Sequence, residues 1–120
     1  MKGHICHVEI PADNLESLQK FYGGVFDWDF EKVPGDIEYY GIKQGEDKPT
    51  AGMMPRQDPG HTPTFYVCVE SVEAALDRVK DEGATVIVPR TAVKGMGWYA
   101  VVLDPQKNLF GLWQADDKAA

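Results

Sequence analysis

The sequence predicts an α+β fold: two βαβββ modules in one domain, forming a curved, mostly antiparallel sheet trough. Three observations predict it. The chain has 120 residues, which suits one domain with one core. Strand-like alternation and helical periodicity follow each other in the same order twice. Overlaying Thr64 on His7, an offset of 57, sets Val72 on Leu15, Ala75 on Leu18, Val79 on Tyr22 and Glu70 on Asp13. The modules run over about residues 4–55 and 62–115. A repeat this short does not cover its own sheet face, so the halves are expected side by side around a shared trough.

In the first module, residues 4–10 read as a strand. Asp13 to Glu16 reads as a helix start of the capping-box kind, with Asp13 as the cap. Leu15, Leu18, Tyr22 and Val25 give that helix one apolar face, and Asp27 closes it. Residues 28–33, 38–43 and 50–54 follow as strands, separated by the Pro34-Gly35-Asp36 turn and a polar loop over residues 45–49. Residues 56–60 read as a linker. The second module repeats the order. Residues 64–70 form a strand, Ser71 caps a helix carrying Val72, Ala75, Leu76 and Val79, and Gly83 ends it. Strands are expected over 84–89, 100–103 and 109–114, with a loop at Lys94–Gly97, a turn at Asp104–Asn108 and a frayed tail from Ala115.

The residues also carry a family resemblance. His7-x3-Pro11-Ala12-Asp13, then Phe21-Tyr22-Gly23-Gly24-Val25-Phe26-Asp27-Trp28, resembles the vicinal oxygen chelate superfamily of glyoxalases, bleomycin-resistance proteins and extradiol dioxygenases. The second half agrees in Val67-x-Val69-Glu70-Ser71-Val72, Gly95-Met96-Gly97-Trp98 and Asp104-Pro105-Gln106-x-Asn108-x-Phe110-Gly111. The resemblance implies the fold over nearly the whole chain; it does not imply one reaction. In metal-dependent members the ligands come from the first and last strand of each half. His7 is the only family ligand position retained: Thr64 and Gly111 stand at two others, and Thr50–Met54 offers no Asp, Glu, His or Gln. A divalent ion needs three or four converging donors. No metal or other cofactor is therefore expected. A metal-dependent lyase, isomerase or dioxygenase using His7 is the alternative, and an accessory subunit without a ligand is the second. Whether the protein is an enzyme stays open at this level.

Strand parity assigns the candidate ligand-binding residues. His7 and Glu9 share one face of the first strand, pointing away from the more apolar Cys6, Val8 and Ile10. Thr64, Tyr66 and Cys68 share the trough face of the fifth strand, and Gly111 and Trp113 that of the last. Trp98, in a glycine-rich loop, and Met53 or Met54 add aromatic and apolar wall. A mostly apolar trough with few polar anchors suits a small hydrophobic or aromatic molecule. The same residues also suit a homodimer interface. His61 is expected at the surface. Parity places Cys6 and Cys68 on opposite faces, so both are expected as buried free thiols rather than a disulfide.

Charge and hydropathy exclude other classes. The net charge is −7 and no basic cluster exists, which disfavours nucleic acid and anionic membranes as partners. No stretch approaches a membrane-spanning length. The N-terminus enters a strand pattern directly, so a cytoplasmic protein without a signal peptide is expected. No triad, phosphate loop or CxxC motif is present.

Overall fold

Asn14 and Ser71 decide where the two helices begin. Each has an extended backbone, and each side-chain oxygen accepts from the amide three residues on: Ser17 N–H at 2.9 Å and Ala74 N–H at 3.1 Å. Such caps satisfy donors that the first helical turn leaves unpaired. The caps stand 57 residues apart (71 − 14), the offset that the sequence overlay predicts. Asp13, expected as the first cap, instead accepts from Arg56 Nε at 2.8 Å, and Asn14 takes the capping position one residue later.

The computed structural model describes residues 2–46, 48 and 50–120; Asp47 and Pro49 of the expected polar loop lie outside the described residues. The chain divides into two compact units, His7–Thr64 and Phe65–Ala120 with the first residues through Cys6. Strand β1 (His4–Ala12) contributes to both.

The unit His7–Thr64 continues with α1 (Leu15–Phe26), β2 (Asp29–Lys32), β3 (Tyr40–Lys43) and β4 (Thr50–Pro55). Its sheet order is β2-β3-β4-β1. The β2–β3 and β3–β4 pairs are antiparallel, whereas β4 runs parallel to β1. Ala12, Ile42 and Met53 form the buried core, packed by Ile10, Leu15, Leu18, Tyr22, Trp28, Phe30 and Ala51. Helix α1 closes at Asp27, whose φ of 58° is the left-handed stop expected of it. Val25, expected on the packed face, is 57% exposed. Trp28 stacks on Tyr22 at 5.3 Å, so the packed stripe of α1 ends at Tyr22. The linker after β4 is tied down: Arg56 N–H donates to Ala12 O at 2.9 Å, and its guanidinium reaches the His61 carbonyl. His61, expected at the surface, is half-buried and accepts the Gln57 amide on Nδ1 at 3.1 Å.

The other unit carries β5 (Thr64–Cys68), α2 (Val72–Asp81), β6 (Thr85–Val93), β7 (Gly97–Leu103) and β8 (Leu109–Ala115). The order is β5-β8-β7-β6; β5 and β8 are parallel and the other pairs antiparallel. Val72, Ala75 and Leu76 of α2 pack on Ala100, Val102 and Leu112. The Val72 amide donates to Gln114 Oε1 at 2.9 Å, fixing the start of α2 on β8. Strand β6 extends past its expected end at Pro89, and the pairing shifts register between Val86 and Thr91, since proline has no amide to donate. Strand β7 starts at Gly97, so Trp98 and Tyr99 are strand residues rather than loop residues. Fold class and element order thus agree with the sequence reading.

Two expectations are overturned in this unit. Cys6 and Cys68 are joined by a disulfide with Cα atoms 5.8 Å apart. Face parity counted from Ile10 misplaced Cys6. Within this unit a Cβ on Gly3 would strike Val67 and Val69, so Gly3 lies on their side. Alternation from there puts Cys6 on the opposite side, which is also the side of Cys68. The tail does not fray. Ala119 is 3% exposed, its carbonyl accepts Gly95 N–H at 2.8 Å, and the Asp116 amide donates to Met96 O at 2.9 Å. The tail is held because Asp116 accepts from Trp98 Nε1 at 3.0 Å and from Lys118 N–H at 2.9 Å. Removing residues 117–120 should lower unfolding free energy by about 1–3 kcal/mol, the range for a buried hydrogen-bonded segment. Urea denaturation checks this; an unchanged midpoint would mean the tail contributes nothing.

Candidate functional site

The polar cluster around His7 lies within the unit His7–Thr64. Ile10, Ala51 and Met53 pack in the core under α1. Alternation therefore turns His7 and Glu9, with Thr50 and Gly52 of β4, to the other face. The parallel register places His7 beside Thr50 and Glu9 beside Gly52. Tyr39, just before β3, lays its ring over Gly52: a Cβ there would collide with the ring and its hydroxyl. Gly52 is needed for this close approach.

Both imidazole nitrogens of His7 are engaged. Nδ1 lies 2.7 Å from Thr50 Oγ1 and Nε2 lies 2.6 Å from Tyr39 Oη. Glu9 Oε2 is 3.8 Å from Nε2. In either neutral tautomer one ring nitrogen donates to its hydroxyl partner and the other accepts from its own. The side chains keep 24% (His7) and 15% (Glu9) of their exposure, enough to be reached from solvent. Burial holds the imidazole below its ordinary 6.5, and the Glu9 charge opposes this without overcoming it. His7 is thus a neutral hydrogen-bonding group at neutral pH, coupled to a phenol.

The other unit repeats part of this arrangement. Tyr66 of β5 pairs in register with Gly111 of β8, and a Cβ on Gly111 would collide with the Tyr66 ring. The space that the missing Cβ of Gly111 leaves is filled by that ring. Trp113 lies on the same strand face, its ring over Gly97. In each unit, then, a glycine of the last strand lies under a tyrosine ring.

Three expected site residues are placed differently from their sequence reading. Met53 is fully buried beneath α1 and forms core, not pocket wall. Met54, rather than Met53, shares the strand face of Gly52. Trp98 packs against the α2 core; Arg90 sits 4.0 Å over its ring and Asp116 holds its N–H. Thr64 is 5% exposed and donates to Thr62 O at 2.9 Å. Its hydroxyl serves its own loop. Tyr39 and Thr50 were not singled out from sequence. The signal available for them was the glycine at position 52, whose missing Cβ must be filled by a neighbour.

Both nitrogens of His7 face hydroxyl groups. Tyr39 and Thr50 cover its nitrogens, Gly52 and Gly111 bring no donor, and among the described residues no three His, Cys, Asp or Glu side chains converge.

Comparison with known proteins assigns the chain. The family model described as the Glyoxalase/Bleomycin resistance protein/Dioxygenase superfamily matches residues 4–112. The chain belongs to this superfamily. The Mycobacterium bovis protein CFP32, whose name assigns it provisionally to the glyoxylases, is 28% identical over 116 residues. That match covers 91% of this chain and 44% of CFP32, so the chain spans under half the length of that relative. A glyoxylase-like domain-containing protein of Didymella fabae is 27% identical over 90 residues, 69% of this chain and 70% of that protein. Among solved structures, hypothetical protein BH1468 of Bacillus halodurans has a TM-score of 0.75 at 14% identity, covering 100% of this chain and 99% of that one. Methylmalonyl-CoA epimerase of Mycobacterium tuberculosis has a TM-score of 0.72 at 13% identity, covering 93% and 87%. At these identities the solved structures establish the superfamily's fold.

Two outcomes are expected at this cluster. Because the folded imidazole titrates below its unfolded value, the unfolded chain binds more protons in the interval below pH 6.5. Stability contributed by neutral His7 is complete above that pH and is lost as pH falls through the folded pKa. Wild type should lose more unfolding free energy than His7→Gln between about pH 7.5 and pH 5.5; equal losses would refute the assignment. Separately, Gly52→Ala should cost roughly 1–3 kcal/mol through overpacking. Combining it with Tyr39→Ala should cost less than the sum of the single changes, read as a double-mutant cycle.

Proposed function

We propose that this superfamily member is a cytoplasmic, homodimeric domain that binds a small hydrophobic or aromatic molecule without a resident metal. The ligand would lie on the strand face bearing His7, Glu9 and Tyr39. The observation that carries the reading is the closure of both His7 nitrogens by hydroxyls, with glycine standing where the resemblance would require a carboxylate on the last strand. The imidazole–phenol pair, backed by Glu9, offers hydrogen bonds to a carbonyl or carboxylate. The Tyr39 ring over Gly52 offers an apolar face. The homodimer is supported by exposed apolar side chains that a second chain would cover, among them Phe21, Val25 and Phe26 of α1. Chromatography with light scattering tests that part.

The ligand reading is tested on protein purified without chelator. Elemental analysis should give well under one equivalent of divalent metal, and chelator should leave the melting temperature unchanged. A panel of aromatic carboxylic acids, aldehydes and acyl-CoA thioesters should contain a binder that raises the melting temperature. Saturation a hundredfold above Kd stabilises by about 2.7 kcal/mol. Tyr39→Phe and His7→Ala should weaken that binder by about tenfold or more, the scale of one lost hydrogen bond. One equivalent of metal, lost together with ligand binding, would replace this reading with the metal-dependent one. A panel without any binder would favour the accessory-subunit reading.

A further inference from the structure

We infer that Cys6 and Cys68 form a reversible thiol–disulfide site, with Cys68 as the sulfur that low-molecular-weight disulfides enter and Cys6 as the resolving thiol. This inference does not rest on the ligand reading. The separation of 5.8 Å between the Cα atoms lies in the range for an unforced cross-link. Both residues are half-buried, so neither sulfur is sealed in the core. Oxidised, the sulfurs are bonded to each other. Reduced, the Cys6 thiol has the Tyr66 carbonyl as acceptor at 3.8 Å.

The surroundings distinguish the two sulfurs. A cleft of about 320 Å³ is lined by Lys2, His4, Cys68, Val69 and Glu70. Cys68 lines it and Cys6 does not. Lys2 brings a positive charge to the cleft wall, and Glu70 and His4 line it as well. A cation beside a thiol favours the thiolate, which is the attacking species, and draws in anionic disulfides. The chemistry closes in two steps. The Cys68 thiolate attacks one sulfur of R–S–S–R, forms a Cys68–S–S–R bond and expels one thiolate, which takes up the proton Cys68 lost. The Cys6 thiolate then attacks the Cys68 sulfur, breaks that bond and releases the second R–S⁻, which is protonated likewise. Two protein thiols are oxidised and one small disulfide is reduced to two thiols. The product ties the first three residues of β1 to β5 and closes a loop with a sequence separation of 62. Closing a loop of that length restricts the unfolded chain strongly.

The test uses the full chain, reduced with dithiothreitol, freed of reductant without oxygen and titrated with oxidised glutathione. Intact mass should fall by about 2 Da, the two hydrogens lost on forming one disulfide. The melting temperature should rise by roughly 5–10 °C, and dithiothreitol should reverse both changes on the folded protein. Cys6→Ser should accumulate one glutathionyl group on Cys68, while Cys68→Ser should accumulate little on Cys6. Two persistent free thiols, a cross-link that resists dithiothreitol in the folded state, or an adduct formed preferentially in Cys68→Ser would each overturn the inference. Serine is close in size to cysteine, and unchanged circular dichroism of both variants separates lost chemistry from lost fold.

Discussion

The rest of this structure depends on the parallel pairing of the first and last strand in each unit. Three of the four strands in a βαβββ unit run as a meander, yet the fourth returns beside the first in the same direction. That register sets Glu9 against Gly52 and Tyr66 against Gly111. Where a side chain at these crossings would meet a tyrosine ring, glycine stands. The consequence reaches the candidate site directly. The Tyr39 ring settles on Gly52, its hydroxyl reaches His7, and His7 is then held from both sides. A carboxylate at position 52 or 111 would have to displace a ring. The glycine and the tyrosine ring over it are thus one packing arrangement in each unit.

The fold was largely legible because its signals are local. The cap at Ser71, the apolar stripes at Leu15 and Leu18 or Val72 and Ala75, and the stop at Asp27 all act within a few residues, and the first cap falls one residue from its expected place, at Asn14 rather than Asp13. The offset between the modules survives in those signals although few side chains are identical. Boundaries shifted where tertiary partners decide them. β7 begins at Gly97 because β6 and β8 pair with it there, and β6 runs through Pro89 by skipping ladder bonds.

The site was legible in part. Parity put His7 with Glu9, and their side chains do meet. It could not supply Tyr39, which lies outside the strand ladder and arrives through a ring packed on a missing Cβ. Met53 and Trp98 read as pocket residues from composition, but each is claimed by a core whose depth depends on a helix distant in sequence. Cys6 and Cys68 show the limit of parity most directly. Alternation itself holds, but it places Cys6 only relative to its own strand; the contact of Gly3 with Val67 and Val69 is what relates that strand to β5.

The three tryptophans are divided unevenly between the units. Trp28 is the sole indole of residues 7–64, stacked on Tyr22 and tilted against Phe26. Trp98 and Trp113 belong to the other unit, one under a guanidinium and bonded to a carboxylate, the other over Gly97. Nature has thereby given each half its own optical label. Emission from Trp28 follows the packing of α1 on its core, and emission from Trp98 follows the environment set by Arg90 and Asp116. Spectroscopy on single-tryptophan forms of the chain can therefore watch the two βαβββ units separately, with no dye attached.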